Sequence, residues 1–570
     1  MLTFWIPPFL LVGIVALEDR HQLPNAASGE LFSEELLIKS LPSGHVYAQF
    51  CFSTSLHNPA EPLNFYRLFP MTVGELLQAN AVDEFHLSLT QGKWSHENWG
   101  YPVKDRPAGA LLWAWFKENP EENWKKFAAA LGGITCSSLN FIDDTITAIP
   151  KYVFRPEGHL NSVNATNLRL ALLPGEAVCT ENLTPWLKLL PCSNAGLSQL
   201  LKATSVFSSH FISIGMDVKK TCLDNSCSHT RLLLQQYVTV VMDPTFGPRR
   251  QDWNFMILFG KTISAVCPLA SKSSVLVDLT PNGVSAAMTL SPEPHRLEKA
   301  DSDREFAIYD IKRLLQDHGH ANIYAKFAKN HMYWTIKPPP ITVNRYLQGY
   351  GLDQGGIRAI IKNNHYTFFN VTYLEIIPWY LRVYVHTLTV TSNTKRIYPN
   401  RIVFQPALDR EKPYHLEIGL TLEPYSRVEV FFAFERAFLV WTEYPPDPHL
   451  GFYIGAASLT TRVPSQGLAN FTGDLSASEN LELALLHRGD KTRYLVLFTE
   501  ILLVTLPTPD FSMPYNVICF VCTALALAFG PIHNITTKNL VLQDKTQKKG
   551  FIYKILQKLK GVSTRKAKKE

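Results

Sequence analysis

HVYAQFCFST, residues 45–54, alternates apolar side chains with polar or small ones and is rich in aromatic residues. This period of two predicts a β-strand. Alternating or continuously apolar runs of the same kind occur at 381–390, 427–434 and 494–506. Helical periodicity is scarcer and falls in the first half, at 109–117, 122–131 and 196–203. We therefore predict a mixed α/β and mainly β fold with β-sandwich-like domains.

The two ends of the chain carry uncharged apolar segments. Residues 1–17 have no charged side chain and are followed by Glu18 and Asp19, which is typical of a signal peptide because the run is short for a membrane span. Residues 511–532 are also uncharged, and at about 1.5 Å per residue they are long enough to cross a bilayer. We predict one C-terminal transmembrane helix there.

The net charge of +6 is unevenly distributed along the chain. Residues 534–570 contain 11 Lys or Arg against 2 Asp or Glu, which leaves 44 basic and 47 acidic residues in the rest. By the positive-inside rule the basic tail is cytosolic, so we predict a single-pass type I protein with most of its chain in the lumen. Nucleic-acid binding by the body is excluded because it needs a concentrated basic surface.

The body divides at a segment rich in proline and charge. Residues 291–303 and the three prolines at 338–340 indicate a long loop or domain boundary. We predict the following parts: a signal peptide (1–17), a luminal domain of mixed β-structure with helices (18–290), a boundary or loop region (291–340), a β-sandwich-like luminal domain (341–508), a transmembrane helix (511–532) and a basic cytosolic tail (533–570).

Modification and targeting signals agree with a luminal body. Asn-X-Thr sequons for N-glycosylation begin at Asn164, Asn182, Asn370 and Asn470. The chain ends in KAKKE, in which Lys566 and Lys568 resemble a retrieval signal for the endoplasmic reticulum. A basic tail lying on anionic lipid accounts for these lysines equally well.

Seven of the nine cysteines precede the apolar span, and Cys519 and Cys522 lie within it. In an oxidising lumen an odd number leaves at least one thiol free or bonded to another chain. Cys222 and Cys227 are close enough in sequence to close a small loop, whereas Cys51 has no assigned role.

Catalytic and metal motifs are missing from the sequence. The chain has no GxSxG, HExxH or GxxxxGK[ST] pattern. Asp317, His318 and His320 lie close together, but a polar loop explains them more simply than a metal site. We therefore predict no catalytic residues, no cofactor and no metal. Paired carboxylates or a Cys–His pair brought together by the fold remain open.

A proline-rich approach precedes the apolar span. In LPTPDFSMPYN, residues 506–516, Asp510, Ser512 and Asn516 place polar groups at headgroup depth. They could contact a lipid headgroup or a partner subunit.

Several long motifs resemble the PIG-T family, the T subunit of the glycosylphosphatidylinositol (GPI) transamidase. The resemblance covers nearly the whole luminal body and the span, and it rests on the following stretches: LPSGHVYAQF (41–50), FYRLFP (65–70), HLSLTQGKW (86–94), GGITCSSLNFID (132–143), VCTENLTPWLKLLPC (178–192), CPLAS (267–271), GYGL (349–352), PWYLRVYVHTLTV (378–390), WTEYPPDP (441–448) and LPTPDFSMPYNVIC (506–519).

The resemblance implies a non-catalytic scaffold in the membrane of the endoplasmic reticulum. In that family the T subunit assembles with the caspase-like catalytic subunit PIG-K, with PIG-S, with PIG-U and with a metallopeptidase-like subunit, and it helps present the GPI lipid. The cysteine of the VCTENLTPW motif forms a disulfide to PIG-K in the family, which carries over to Cys179. Asp510, Ser512 and Asn516 are then candidates for contact with the GPI headgroup. The alternative is a free-standing, membrane-anchored luminal hydrolase, which predicts a cleft with paired perturbed carboxylates or a Cys–His pair.

Overall fold

The structure is a computed structural model of the chain. It describes residues 29–42, 44–57, 66–160, 163–223, 226–244, 252–279, 288–301, 304–327, 338–349, 351–445, 447–464, 492–508, 510, 512–538, 555 and 558. In this part of the chain most regular structure is β-sheet, some is helix, and one apolar helix lies near the C-terminus. The predicted fold class is confirmed.

An 11-stranded sheet organises the first half of the body, in the order β12-β13-β10-β1-β2-β8-β7-β3-β4-β6-β5. Its strands are β1 Glu30–Ser40, β2 Val46–His57, β3 Val82–Gln91, β4 Gly109–Phe116, β5 Thr147–Ala148, β6 Leu168–Leu173, β7 Phe211–Cys222, β8 Thr230–Met242, β10 Lys272–Asp278, β12 Arg296–Asp301 and β13 Arg304–Asp310. The pairing of β1 with β10 is parallel, and the β1–β2 and β2–β8 pairs are antiparallel. A small sheet beside it, in the order β11-β14-β9, contains β9 Trp253–Asn254, β11 Met288–Ser291 and β14 Tyr324–Phe327.

Helices cover one face of the large sheet. They are α1 Met71–Ala79, α3 Pro120–Thr135, α4 Thr180–Lys188, α5 Ala203–Val206, α6 Phe255–Phe259 and α7 Ile311–His318. Helix α2, His96–Trp99, lies on the opposite face, where Trp99 packs against a second hydrophobic core. The buried residues of α3, such as Trp124 and Phe127, join sheet residues such as Phe50 and Leu112 in one hydrophobic core. Burial of this apolar face holds the helices on the sheet.

The second half of the body is a pair of five-stranded sheets with the orders β15-β16-β22-β18-β19 and β20-β21-β17-β24-β25. Their strands are β15 Ile341–Gln348, β16 Gln354–Asn363, β17 Phe369–Ile377, β18 Leu381–Ser392, β19 Lys395–Arg396, β20 Arg401–Gln405, β21 Tyr414–Leu422, β22 Arg427–Arg436, β24 Ser458–Pro464 and β25 Thr492–Phe498. A two-stranded sheet adds β23 Phe452–Ile454 and β26 Leu502–Val504. The inner faces of the two large sheets share a core that includes Ile357, Leu416 and Phe432, as expected for a sandwich.

The sandwich and the 11-stranded sheet belong to one compact unit, residues 1–439 with 444–507. Tyr47 of β2 lies in the same hydrophobic core as the sandwich residues. In addition, Tyr101 donates a hydrogen bond to the Ile341 carbonyl (2.5 Å) and accepts one from the Ile341 N–H (2.8 Å). The domain limits proposed from sequence remain a prediction. The expected loop region, 291–340, contains β12, β13, α7 and β14 among its described residues.

One predicted helix is wrong and one is reduced to a short turn. Residues 109–117 contain strand β4, whose eight residues are all buried, because β4 lies between β3 and β6 and both of its faces are covered. A short, continuously apolar run does not distinguish a buried strand from a buried helix. Residues 196–203 contain only the 3-10 turn Gly196–Leu200 before α5 begins, whereas 122–131 lies within α3 as predicted.

Helix α8, Ser512–Thr537, belongs to a second unit that comprises residues 440–443 and 508–570. It is 26 residues long, and an 18-residue window within it has a mean hydropathy of 1.9 and is not buried. By length and composition it is a candidate membrane-spanning helix, in agreement with the predicted span.

Candidate functional site

Cys179 lies at the N-terminal end of α4, at the capping position. Its backbone N–H donates a hydrogen bond to the Asn182 Oδ1 atom (2.8 Å), which satisfies a donor at the helix start. The side chain is exposed and the thiol forms no disulfide within the chain. The helix end therefore presents a free thiol to solvent on a fixed backbone.

Asn182 also ties this helix end to the end of α3. Its Nδ2 atom donates hydrogen bonds to the carbonyls of Thr135 (3.2 Å) and Cys136 (2.8 Å). Cys136 ends α3 in the left-handed conformation (φ 50°), and its thiol is exposed and free. One buried amide thus connects the backbones of the two exposed cysteines.

The structure conflicts with glycosylation at Asn182, which is 2% exposed. The amide nitrogen that would carry the glycan already donates two hydrogen bonds, and an attached sugar would replace one of its two hydrogens and so remove at least one of these bonds. Asn182 is therefore the least accessible of the described acceptors, and its glycosylation stays a prediction. Asn164 and Asn370 are exposed and remain predictions; Asn470 lies outside the described residues.

The other cysteines before the span are paired or buried. Disulfides join Cys192 to Cys267 and Cys222 to Cys227, so the small loop considered from sequence is closed. Cys51 is free but buried, and burial raises the pKa of its thiol to about 12. A thiol that stays protonated and inaccessible is a poor partner for an interchain bond, which leaves Cys136 and Cys179 as the exposed thiols of the body.

Asp510, Ser512 and Asn516 surround the start of α8, and all three are exposed. The Ser512 N–H donates a hydrogen bond to Asp510 Oδ1 (2.9 Å), and hydrogen bonds from Ser512 lower the pKa of this carboxyl. Asp510 therefore carries a negative charge at the entry to the candidate membrane helix. The retrieval-signal lysines Lys566 and Lys568 lie outside the described residues.

A cavity of about 720 Å³ lies within the body, between the 11-stranded sheet and the β20-β21-β17-β24-β25 sheet. It is lined by five cationic side chains and two carboxylates: Lys104, Arg106, Arg155, Arg401 and Arg462, with Asp105 and Glu157. The Arg401 guanidinium stacks on the Tyr152 ring at 3.8 Å. The cavity is therefore basic and suited to an anionic group.

Buried charges at the back of this cavity neutralise one another. Asp217 accepts hydrogen bonds from Lys104 (2.5 Å) and Arg106 (3.2 Å) and lies 3.0 Å from His86. Glu157 pairs with Lys104 (3.0 Å) and Lys219 (3.2 Å). Each carboxylate thus has at least two cationic neighbours.

The neighbouring cations determine the protonation states of Asp217 and Glu157. Burial by itself raises the pKa of Asp217 and Glu157, but the nearby cations outweigh burial and hold both pKa values below the usual range. The same carboxylates raise the pKa of His86 against the effect of its own burial. Both carboxyl groups are therefore ionised at neutral pH, and neither has a proton to donate as a general acid.

The fold and these sites define a class: a β-rich protein anchored by a membrane helix, whose body presents free thiols at its surface. The family model described as "Gpi16 subunit, GPI transamidase component" matches residues 21–252 and 244–561. The chain therefore belongs to this family and is a component of the GPI transamidase, which confirms the resemblance inferred from sequence.

Several relatives support the assignment. The mouse and human proteins titled "GPI-anchor transamidase component PIGT" are each 41% identical to the chain; they match 90% of it, over 90% and 91% of their own lengths. The Saccharomyces cerevisiae protein titled "GPI transamidase component GPI16" is 30% identical and matches 97% of both chains. A solved pilin subunit from Bacillus cereus aligns with a TM-score of 0.20 at 9% identity, over 41% of this chain and 70% of that one. This similarity is too low to support a conclusion about fold or function.

Sequence reasoning missed two features of these sites. The first is the set of hydrogen bonds that Asn182 makes to the start of α4 and the end of α3. The Cys-x-x-Asn spacing is compatible with a helix cap and could have indicated the bond to the Cys179 N–H, but Asn182 was interpreted only as part of a sequon. The basic cavity had no local signal, because Arg155, Arg401 and Arg462 come from separate segments that only the packing brings together.

Proposed function

We propose that this chain is a non-catalytic scaffold subunit of the GPI transamidase. In this proposal it stabilises the caspase-like subunit PIG-K, assembles with PIG-S, PIG-U and the metallopeptidase-like subunit, and helps present the GPI lipid. It lies in the membrane of the endoplasmic reticulum as a single-pass type I protein with most of the chain in the lumen. Family membership and the candidate membrane helix support this function.

The exposed thiol of Cys179 is the observation that carries the proposal. It is free, it faces solvent, and its backbone is fixed by the cap of α4 and by Asn182. A surface thiol on a rigid support can form an interchain disulfide with little loss of conformational freedom. Such a bond would keep catalyst and scaffold together at a high effective concentration.

The state of the buried carboxylates supports a non-catalytic role over the hydrolase alternative. A paired-acid hydrolase needs one carboxyl group that stays protonated near neutral pH. Asp217 and Glu157 instead have lowered pKa values because cations surround them.

The covalent tether is tested by nonreducing and reducing gels of membranes that express the full chain. The wild type is expected to give a heavier band that contains PIG-K and disappears on reduction. Cys179→Ser should abolish this band. Cys136→Ser is the matched control, because Cys136 is also free and exposed at a helix end, and it should leave the band intact. A band that survives in Cys179→Ser and is lost in Cys136→Ser would assign the tether to the other thiol and refute this part of the proposal.

The proposed lipid contact is tested by the triple variant Asp510→Asn, Ser512→Ala, Asn516→Ala. Because hydrogen bonds to an ionised group are stronger than neutral ones, we expect at least about a tenfold loss in the rate of GPI transfer to a reporter protein at limiting lipid. Co-precipitation of PIG-K should not change. Asn534→Ala, at the opposite end of α8, is the control. Unchanged transfer in the triple variant would contradict the contact.

Residence in the endoplasmic reticulum is tested through the tail. If Lys566 and Lys568 form a retrieval signal, the double variant Lys566→Ser, Lys568→Ser should acquire Golgi-processed glycans on the luminal body. Glycans that remain sensitive to endoglycosidase H would show that the lysines are not needed for retention.

A further inference from the structure

The floor of the basic cavity is a single row of residues across the sheet β20-β21-β17-β24-β25. Residues directly opposite one another in neighbouring strands carry their side chains on the same face. The row contains one residue from each strand, in the order Arg401, Gly419, Thr372, Thr460 and Val496. Its side chains point away from the sandwich core, because Val371 and Tyr373, on either side of Thr372, lie in that core.

The middle of this row is small and its ends are cationic. Gly419 has no side chain, and Thr372 and Thr460 have short ones, so the centre of the row leaves space above the sheet. Arg401 stands at one end, on the edge strand β20. Arg462 follows Thr460 by two residues on β24, so its side chain lies on the same face. Three strand spacings, or about 14 Å, separate the backbones of the two arginines.

Hydrogen bonds hold the opposite wall of the cavity on this sheet. Glu417 of β21 accepts hydrogen bonds from the backbone N–H groups of Lys151 (2.6 Å) and Tyr152 (3.0 Å). Asp105 accepts one from the backbone N–H of Phe498 in β25 (2.9 Å). The segments that carry Tyr152 and Asp105 line the cavity. The cavity is therefore formed before any ligand enters, which lowers the entropic cost of binding.

The carboxylates in and beside the cavity already have partners in the protein. Glu157 is paired with two lysines, as described above. Asp105 also lies 3.0 Å from His96. Glu417 also lies 2.7 Å from His415. These carboxylates are therefore engaged on the protein's own groups.

Three arginines that line the cavity differ from these carboxylates. In the described part of the chain no carboxylate lies within ion-pair distance of Arg155, Arg401 or Arg462, and all three are exposed. The Arg401 guanidinium lies over the Tyr152 ring. Burial raises the pKa of the Tyr494 hydroxyl, whereas the charges of Arg155 and Arg462 lower it, so both arginines lie near this ring. A cleft with unbalanced charges of one sign concentrates the field that attracts an anion.

The chemistry of these groups selects the ligand. A guanidinium group matches the oxygens of phosphate or carboxylate with paired hydrogen bonds. A phosphate monoester has three acceptor oxygens and nearly two negative charges, so it satisfies several guanidinium groups better than a carboxylate does. The hydroxyl groups of Thr372 and Thr460 on the floor suit the hydroxyl groups of a ligand. The volume of about 720 Å³ is within the usual range for small-molecule sites.

We propose that the basic cavity binds a phosphorylated polyol, with Arg155, Arg401 and Arg462 on its phosphate groups and the threonine floor on its hydroxyl groups. Both soluble sugar phosphates and phospholipid headgroups have this chemistry. The inference does not rest on the proposed scaffold function, because neither Cys179 nor Asp510 lines the cavity. Either proposal can therefore fail without the other.

The test is calorimetric titration of the full chain, in uncharged detergent, with inositol trisphosphate, which carries phosphates on a polyol ring. All proteins carry Asn370→Gln, because a glycan at this predicted acceptor would stand beside the cavity. We expect one site in this parent protein, and at least a tenfold weaker affinity in Arg401→Ala and in Arg462→Ala. The matched control is Arg396→Ala. It removes an exposed arginine that also lies over a tyrosine ring but does not line the cavity, and it should bind like the parent.

Two comparison ligands separate phosphate from other chemistry. Inositol, which has no phosphate, should not bind detectably. A pentaglutamate peptide should bind at least tenfold more weakly than inositol trisphosphate. Without ligand, the melting temperatures of all variants should lie close to that of the parent, so that a lower affinity reports the lost guanidinium group and not a loss of folding.

Nanodiscs distinguish the two sources of the ligand. If phosphatidylinositol bisphosphate in the disc weakens the binding of soluble inositol trisphosphate, relative to discs of phosphatidylcholine alone, the cavity takes a lipid headgroup. Equal affinity in both discs assigns the cavity to a soluble phosphate. Absence of binding by the parent, undiminished binding by both Arg401→Ala and Arg462→Ala, or tighter binding of pentaglutamate than of inositol trisphosphate would each overturn the proposal.

Discussion

Glu34, in the middle of β1, is a fully buried carboxylic acid whose protonation is tied to folding. Its carboxyl accepts hydrogen bonds from the Ser273 hydroxyl (2.6 Å) and the Leu197 N–H (3.1 Å). Burial nevertheless dominates and raises its pKa from the ordinary value of 4.5 to about 7. The folded protein therefore holds this proton at a pH where the unfolded chain has already lost it.

The sign and size of the effect on stability follow from linkage. Between pH 4.5 and 7 the folded state binds more protons at this site than the unfolded state, so the free energy of unfolding decreases as the pH rises through this range. The difference between the two pKa values corresponds to at most about 3 kcal/mol. Glutamine cannot ionise, and Glu34→Gln should remove this part of the pH dependence.

The assay is thermal unfolding of the full chain, followed by tryptophan fluorescence at pH values from 5 to 8. The melting temperature of Glu34→Gln, relative to the wild type, should increase steadily with pH up to about 7 and then stay constant. Glu118→Gln, at an exposed glutamate, is the control and should follow the wild type. If Glu34→Gln and the wild type differ by the same amount at pH 5 and at pH 8, the proposed effect of burial on this carboxyl is wrong.

Three further substitutions test contacts that we expect to stabilise the folded body: a buried ion pair, a disulfide and a glycine with a positive φ. Arg345→Ala leaves the buried Glu375 carboxylate without its ion-pair partner and should lower the free energy of unfolding by about 3–5 kcal/mol, measured by chemical denaturation. Cys192→Ser opens the disulfide to Cys267, which spans 75 residues, and should cost up to about 4.5 kcal/mol by the chain-entropy model. The wild type under reducing conditions should melt no higher than the variant, because reduction also opens the disulfide between Cys222 and Cys227. Gly109→Ala places a Cβ atom 2.3 Å from a carbonyl oxygen at the end of β6, at a φ of +84°, so we expect a loss of at least about 1–3 kcal/mol and a lower melting temperature. A melting temperature equal to that of the wild type in any of these variants would contradict the corresponding contact.

Strand prediction succeeded where the local pattern was unambiguous. β18 and β22 cover the runs that predicted them, and in β22 the period-two alternation matches a strand with one buried and one partly exposed face. β2 is buried on both faces, but polar or small residues still alternate with apolar ones along it and made it recognisable. The run at 494–506 is divided into β25 and β26, which pair in different sheets. The helix predicted over β4 failed because a strand covered on both faces has no alternation to detect.

The sequence does not show which distant residues contact one another in the fold. Seven cysteines before the span admit many pairings, and the structure selects Cys192 with Cys267 and Cys222 with Cys227. Likewise, Arg155, Arg401 and Arg462 are far apart in sequence and line one cavity only because their segments pack together.

The sequence by itself determined the β-rich class, the apolar helix and membership of the transamidase family. These depend on local composition, on periodicity and on long motifs, which can be read along one chain. Tertiary structure alone decided which thiols are exposed, which backbone carbonyls the Asn182 amide binds, and where charges accumulate. Burial and proximity are properties of packing between distant segments, and they set the accessibility and the pKa values on which chemistry depends.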